Sequence, residues 1–438
     1  MTLAVGCGDD SGSDYDSGSA TNASSPNPGG TDGDSGDEPG GGSGDPGDPG
    51  AGESASGGDT AGGPTSGADP TGADSGAGES GGEGESDSDT DGEEPIDPGQ
   101  LTAGEWRDLD HWDFWLGLIG GETWSSMQDL WNMYTSQRFA VVALADQAPV
   151  VDADVVLLSG DQKTLWTART DVRGRAELFN GLLGEPGQGP FTIQVSSGDA
   201  SVTISDAQPF AADPAIADLD AAAAPEKILD LLFMIDTTGS MGDELEYLQV
   251  ELADVVAEIR DNIGQSFKIR LSVNFYRDHG DEYLVREFPF TEDIDAALAD
   301  LAAQNYDGGG DFPEAVSEAL DSTIHNHDWS PSAVSRLAFL VLDAPPHEAA
   351  QDLSLIHESV SDAAAAGVRI IPVASSGIDK NTEFFLRFVD IATGGTYVFL
   401  TSHSGIGGEH IEPTIGDYQV ELLNKLLVRL ITQSVQGV

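Results

Sequence analysis

The chain has little positive charge. Its 438 residues hold 18 Lys and Arg against 77 Asp and Glu, for a formal net charge of −59. Binding nucleic acid requires clustered Lys and Arg to neutralise phosphates, so that class of function is excluded. Docking on anionic lipid through a polybasic patch is excluded for the same reason. A single cysteine, Cys7, leaves no disulfide within one chain. No apolar run has the length of a transmembrane helix. Between Asp16 and Pro95 there is no Leu, Ile, Val, Met, Phe, Tyr or Trp. A segment with nothing to bury cannot offset its ordering entropy, and is expected to be disordered.

What fills that segment is Gly, Ser, Asp and Pro. Residues 1–100 carry 23 of the acidic residues and no Lys or Arg, so 8–100 reads as a flexible, self-repelling linker. Two motif fragments in it fail on context. Gly78-Glu79-Ser80-Gly81-Gly82 has no strand and helix to expose a nucleophile. Asp87 to Gly92 opens like a calcium loop, but Pro98 stands where a bidentate Glu is needed. At the start of the chain, Leu3-Ala4-Val5-Gly6-Cys7 resembles a bacterial lipobox, with residues 1–7 as the remnant of a lipoprotein signal. The resemblance implies lipidation at Cys7, membrane attachment only through that anchor, and a place in the cell envelope. Six residues cannot supply a signal's apolar core, so the true start is expected upstream.

Composition changes near Leu101. Five of the seven tryptophans lie between Trp106 and Trp131. Interleaved with Leu109, Phe114, Leu116, Leu118 and Ile119, they are expected to form a cap over 101–137, packed on the sheet that follows. An exposed aromatic platform is the alternative. Over 138–210, six short alternating runs separated by turn residues predict an antiparallel β-sandwich. Thr170-Asp171-Val172-Arg173-Gly174-Arg175-Ala176 resembles a turn of carboxypeptidase-regulatory-like and bacterial Ig-like modules, which implies a structural or adhesive module. Residues 211–226 read as a linker.

Residues 227–436 alternate apolar runs with amphipathic segments. Ile228 to Ile235, Ile269 to Phe275, Leu337 to Leu342, Val368 to Ala374 and Thr396 to Leu400 suit parallel strands buried on both faces. Leu245, Leu248, Leu252, Val255, Ile259 and Ile263 recur at spacings of three and four, as on one face of a helix. The predicted fold is α/β, a doubly wound and mostly parallel sheet, whose ligands bind beyond the carboxyl ends of its strands.

Oxygen-bearing residues collect at those ends. Asp236-Thr237-Thr238-Gly239-Ser240 follows the first strand, and alternate positions can bring Asp236, Thr238 and Ser240 onto one hard cation. A Gly308-Gly309-Gly310-Asp311-Phe312-Pro313-Glu314 turn precedes a later helix, and Asp343 ends the Leu337 run. These three motifs, in this order, resemble a von Willebrand factor type A domain. The closest likeness is to the bacterial D-T-T-G-S-M subgroup, in which Tyr276-Arg277-Asp278 also has a counterpart. The resemblance implies a metal-ion-dependent adhesion site for Mg²⁺, or for Mn²⁺ or Ca²⁺, held by Asp236, Thr238, Ser240 and Asp343. Asp311 lies near the position of the family's middle ligand and would close the site directly or through water. Helix capping by Asp and Thr is the competing explanation of the same loops. His347-Glu348-Ala349-Ala350-Gln351 lacks the second histidine of a zinc peptidase.

The expectation is therefore a non-catalytic envelope lipoprotein that binds a protein ligand's Asp or Glu through the cation. Two rivals stay open. One is a scaffold with a degenerate metal site, in which the β and Trp-rich region binds ligand. The other is an envelope enzyme or accessory subunit.

Overall fold

A computed structural model describes residues 96–437 other than position 311. The acidic linker and Cys7 fall outside the described residues, apart from the last positions of the linker. The elements in chain order begin with strand β1 (Thr102–Trp106) and two short helices, α1 (Trp112–Ile119) and α2 (Glu122–Trp131). Eight strands follow: β2 (Arg138–Ala145), β3 (Ala148–Pro149), β4 (Asp154–Leu158), β5 (Thr164–Arg169), β6 (Arg175–Phe179), β7 (Phe191–Ser197), β8 (Ala200–Ala207) and β9 (Ala215–Leu219). The α/β part runs β10 (Ile228–Asp236), α3 (Gly242–Ile263), β11 (Lys268–Tyr276), β12 (Val285–Arg286), α4 (Ile294–Ala302) and α5 (Val316–His325). It continues with β13 (Ser335–Leu342), α6 (Ala350–Ala366), β14 (Val368–Ala374), α7 (Lys380–Thr393), β15 (Tyr397–Leu400), β16 (Glu421–Leu422) and α8 (Leu423–Gln436).

The large sheet has the order β12-β11-β10-β13-β14-β15-β1-β16. Strands β11, β10, β13, β14 and β15 are parallel, whereas β12, β1 and β16 are antiparallel to their neighbours. Every residue of β10 is buried, as the centre of a sheet covered on both faces requires. Its side chains divide with period two. Leu229, Leu231, Phe233 and Ile235 join α3, α4 and α8 on one face, while Leu232 and Met234 join α5, α6 and α7 on the other. From β10 the chain crosses to β11 on one side and then returns to β13 on the other. The order thus reverses between β10 and β13, which opens a crevice at their carboxyl ends.

Residues between β2 and β9 form two four-stranded sheets, one with β3-β2-β6 and β9 beside β2, the other β5-β4-β7-β8. Their inward side chains share one apolar cluster, crossed by a Phe139–Phe191 contact at 5.1 Å and a Trp166–Phe179 contact at 6.0 Å. The Asp171 turn is held locally: its carboxylate accepts the backbone N–H of Arg173 and of Arg175, and Gly174 takes φ +74°.

Two segments differ from the expected boundaries. Thr102–Trp106, read as part of a cap, forms β1 and extends the large sheet beside β15. Ala215–Leu219, read as linker, forms β9 and runs parallel to β2. Trp106, Trp112, Trp115, Trp124 and Trp131 are all buried. Much of the cluster lies on α7, where Trp115 stacks on Phe384 and Trp131 meets Phe385. Every residue of α7 from Thr382 to Thr393 is buried, because the sheet covers one side and the tryptophans cover the other.

Candidate metal site

The site is built from strand ends. Asp236 closes β10 and is fully buried, and the chain then passes through Thr237 and Thr238 into a 3₁₀ turn, Gly239–Met241, before α3. Thr238 donates both its backbone N–H (2.8 Å) and its hydroxyl (2.7 Å) to Asp236 Oδ1. The hydroxyls of Thr238 and Ser240 are 3.2 Å apart, with Ser240 exposed at the rim. Thr237 turns the other way, bonding the Tyr276 carbonyl (3.0 Å) and the Tyr283 hydroxyl (2.6 Å), which anchors the loop to the end of β11.

Asp343 follows β13 directly, and the Ser240 hydroxyl also faces it. The glycine turn closes the third side. Gly239 donates to the Gly308 carbonyl, and Asp307 donates to the Thr237 carbonyl. Gly309 has φ +71°, and a Cβ there would stand 3.0 Å from Glu314 Oε1 and 3.3 Å from Thr238 Cβ. Glycine is therefore required by both the backbone conformation and the close approach. Glu314 is itself buried and is fixed by its backbone N–H, which donates to the Pro345 carbonyl just beyond Asp343.

These carboxylates are short of partners. Among the described residues Asp236 Oδ2, Asp343 Oδ1 and Glu314 Oε2 are buried without a well-formed hydrogen bond, and the Tyr276 hydroxyl, which also lacks one, lies beside Asp236 and favours its charged form. Burial, reinforced by Asp343, pushes Asp236 up to about 7. Burial pushes Asp343 up to about 6, with Glu244 adding to it. Glu314 is pushed up to about 9 by burial and then by Asp236, Asp278, Asp343 and Asp281. A buried carboxylate without a partner is costly, so such oxygens in a folded protein point to an ion or water that completes them.

Helix capping does not explain the arrangement. Met241 occupies the N-cap of α3 and no side chain caps that end. Four predicted residues, Asp236, Thr238, Ser240 and Asp343, are brought together; Asp311 lies outside the described residues. Among the described residues no three His, Cys, Asp or Glu side chains form a metal cage. The set here instead mixes two carboxylates with two hydroxyls. Hard oxygen donors of this kind suit Mg²⁺, Mn²⁺ or Ca²⁺.

Sequence reasoning missed Glu314 as part of the site. The sequence places it in the acidic turn before a helix but not among the ligands, and only the burial of its side chain beside Asp236 and Asp343 brings it into the site. His347 is no zinc ligand, and its Nε2 pairs with Asp278 Oδ1 at 2.9 Å. His327, in the loop after α5, is buried between the Ser322 carbonyl and Asn274 Oδ1.

Residues 230–404 match the family model of the von Willebrand factor type A domain. That domain is a doubly wound α/β fold and is commonly a metal-dependent adhesion or interaction module. The matched span runs from the third residue of β10 past the end of β15 and contains all of the site described above. A putative ariadne-like RING finger protein of Acanthamoeba polyphaga mimivirus is 24% identical over 196 residues, which covers 40% of this chain and 19% of that protein. The chain thus spans less than a fifth of that relative's length. Among the described residues no helix is long and apolar enough to cross a membrane.

Proposed function

We propose that the von Willebrand factor type A region is a metal-ion-dependent adhesion site that takes an Asp or Glu side chain of a protein ligand through a divalent cation, without catalysis. Asp236, Thr238, Ser240 and Asp343 would hold the ion, with Asp311 contributing directly or through water. The observation that carries this reading is the pair of orphaned oxygens, Asp236 Oδ2 and Asp343 Oδ1, buried beside two hydroxyls at the topological switch point. When bound, a divalent cation supplies positive charge and an open coordination position for an incoming carboxylate. The chain's own part is to orient the donors. Thr238 locks Asp236 through two bonds to one oxygen, and exposed Ser240 leaves the rim open to a partner. A cation also explains how a chain of net charge −59 could accept an acidic ligand.

The wider reading is a bacterial cell-envelope lipoprotein of the D-T-T-G-S-M subgroup, lipidated at Cys7. Residues 8–100 would act as a solvated spacer, and the β strands of 138–210 as an Ig-like supporting module. Titration of Mg²⁺, Mn²⁺ and Ca²⁺ into the EDTA-treated chain tests the site, and the expected result is saturable heat with at least one ion. Pull-down from envelope extract then tests the partner: capture should depend on the cation and disappear with EDTA or in Asp236→Ala. No saturable heat with any of the three ions would sink the proposal.

A further inference from the structure

At the opposite end of the large sheet, arginines gather in a chain that has few of them. A crevice between β5, β6 and the amino ends of β14 and β15 is lined by Arg107, Arg169, Arg173, Arg175 and Arg369, five of the 18 Lys and Arg. Only Asp171 and Glu177 oppose them there. The part bounded by Arg107, Arg173 and Arg369 encloses about 110 Å³, room for a small ion with water, and opens into a wider polar cavity of about 620 Å³.

Three of the five are already partnered. Arg169 pairs with Asp152 and Asp154, Arg175 pairs with Glu177, and Arg107 pairs with Asp110 and donates to the Gly395 carbonyl. Arg369 differs. It is the second residue of β14, half-buried, and among the described residues its guanidinium has neither an ion pair nor a hydrogen bond. Arg173, at the tip of the Asp171 turn, likewise has no side-chain partner among the described residues. Burial holds Arg369 below the usual arginine range; Asp171 and Asp152 oppose this, while Arg107 and Arg336 add to it. A partly desolvated guanidinium beside other guanidinium groups lacks the counter-charge that its planar donor fork fits. Asp171 and Asp152 are near enough to act on Arg369 but neither pairs with it, and Asp152 already serves Arg169 and Arg336, which leaves a place at the guanidinium for an anion from outside.

We propose that this crevice binds a small oxyanion, a phosphate or carboxylate group, with Arg369 and Arg173 as its principal donors. The wider cavity beside it carries Glu105, Asp110, Asp417 and Glu421, so a larger ligand would place its single anionic end at Arg369 and neutral polar groups outward. The site is at the amino ends of the parallel strands, away from Asp236, and does not depend on a cation.

The test uses the full chain, dialysed against chloride and EDTA so that no metal can bridge the anion. Thermal melting and calorimetry are followed as inorganic phosphate or acetate replaces chloride at constant ionic strength, because any salt screens a charge of −59. Saturable stabilisation by either oxyanion beyond chloride is expected. Arg369→Gln should weaken it by at least about tenfold, Arg369→Lys should restore only part of it, and Asp236→Ala should retain it. Stabilisation equal to that by chloride, or undiminished in Arg369→Gln, would overturn the proposal. So would a melting point of Arg369→Gln well below wild type in chloride alone, since the guanidinium would then have a partner within the fold.

Discussion

Thr238 directs its backbone N–H and its hydroxyl to the same oxygen of Asp236, at 2.8 and 2.7 Å, and leaves the second oxygen buried with no well-formed hydrogen bond among the described residues. One half of the carboxylate is thereby fixed, while the other is held ready for a ligand that the protein does not itself supply. From this asymmetry, Asp236→Ala should abolish saturable Mg²⁺ binding, as should Asp343→Ala. In EDTA Asp343→Ala should melt close to wild type, because it removes an uncompensated buried oxygen, whereas Asp236→Ala also strands the two buried donors of Thr238 and should melt lower. Calorimetry and melting curves on the same samples check both halves. A large loss of stability in EDTA, with cation binding intact, would mean that these carboxylates serve the fold alone.

The pH dependence follows from the direction of the shifts. In the metal-free fold Asp236 moves from 3.8 to about 7 and Glu314 from 4.5 to about 9. A group whose folded value is raised contributes stability that is present below its unfolded value and lost as pH rises through its folded value. The EDTA-treated protein should therefore melt at a lower temperature at pH 8 than at pH 5. Glu314→Gln should flatten that slope between pH 5 and 9, which separates the site from the general self-repulsion of an acidic chain. Stabilisation by Mg²⁺ should be larger at pH 8 than at pH 5, since protons compete for the same oxygens. Melting curves in a pH series, with and without Mg²⁺, decide it; equal slopes in wild type and Glu314→Gln would refute it.

Gly309 tests the shape of the site without touching a ligand. Alanine at φ +71° should cost roughly 1–2 kcal/mol from the backbone alone. Its Cβ would also press on Glu314 Oε1 and Thr238, so cation affinity should fall with the donors all retained. Gly405→Ala, with φ +71° but no atom within 4 Å of the added Cβ, is the control that carries the backbone cost alone. Equal cation affinity in the two variants would show that the close approach at Gly309 is not used.

Much of this was legible in the sequence because it is local. The nearly all-apolar run ending in Asp236, the hydroxyls two and four residues beyond it, and the strand-end Asp343 each declare themselves within one short segment. What was not legible depends on distant partners. Thr102–Trp106 looks like any amphipathic pentapeptide until Tyr397–Leu400 lies beside it. Ala215–Leu219 sits in an Ala- and Asp-rich stretch, and only β2 makes it a strand. Ile294–Ala302, short and rich in Ala and Asp, gave too little apolar periodicity to mark α4. The tryptophans were expected on the β strands that follow them. Phe384, Phe385 and Phe388, on successive faces of one helix, were the sign that α7 needed an outer cover.

That cover is locked by Arg387. Its guanidinium is fully buried, bonds both oxygens of Asp108 at 2.8 and 2.6 Å, and reaches Glu383 at 3.1 Å and the Thr414 carbonyl at 2.8 Å. Trp115 and Trp124 flank it at 5.1 and 5.0 Å, and Trp106 Nε1 donates to the same Asp108. Removing the arginine would leave Asp108 and Glu383 buried without the guanidinium that pairs with both, so Arg387→Met should destabilise the fold by about 3–5 kcal/mol. The double variant Arg387→Met with Asp108→Asn should recover part of that loss, because one of the stranded charges is then gone. Loosening of the Trp-bearing segment should appear as a red-shifted tryptophan emission before global unfolding. Cation binding at Asp236, on the far side of β14 and β13 from α7, should survive wherever the variant remains folded. If Arg387→Met cost under about 1 kcal/mol, the range of an exposed pair, the arginine would not be what holds the tryptophan segment to α7.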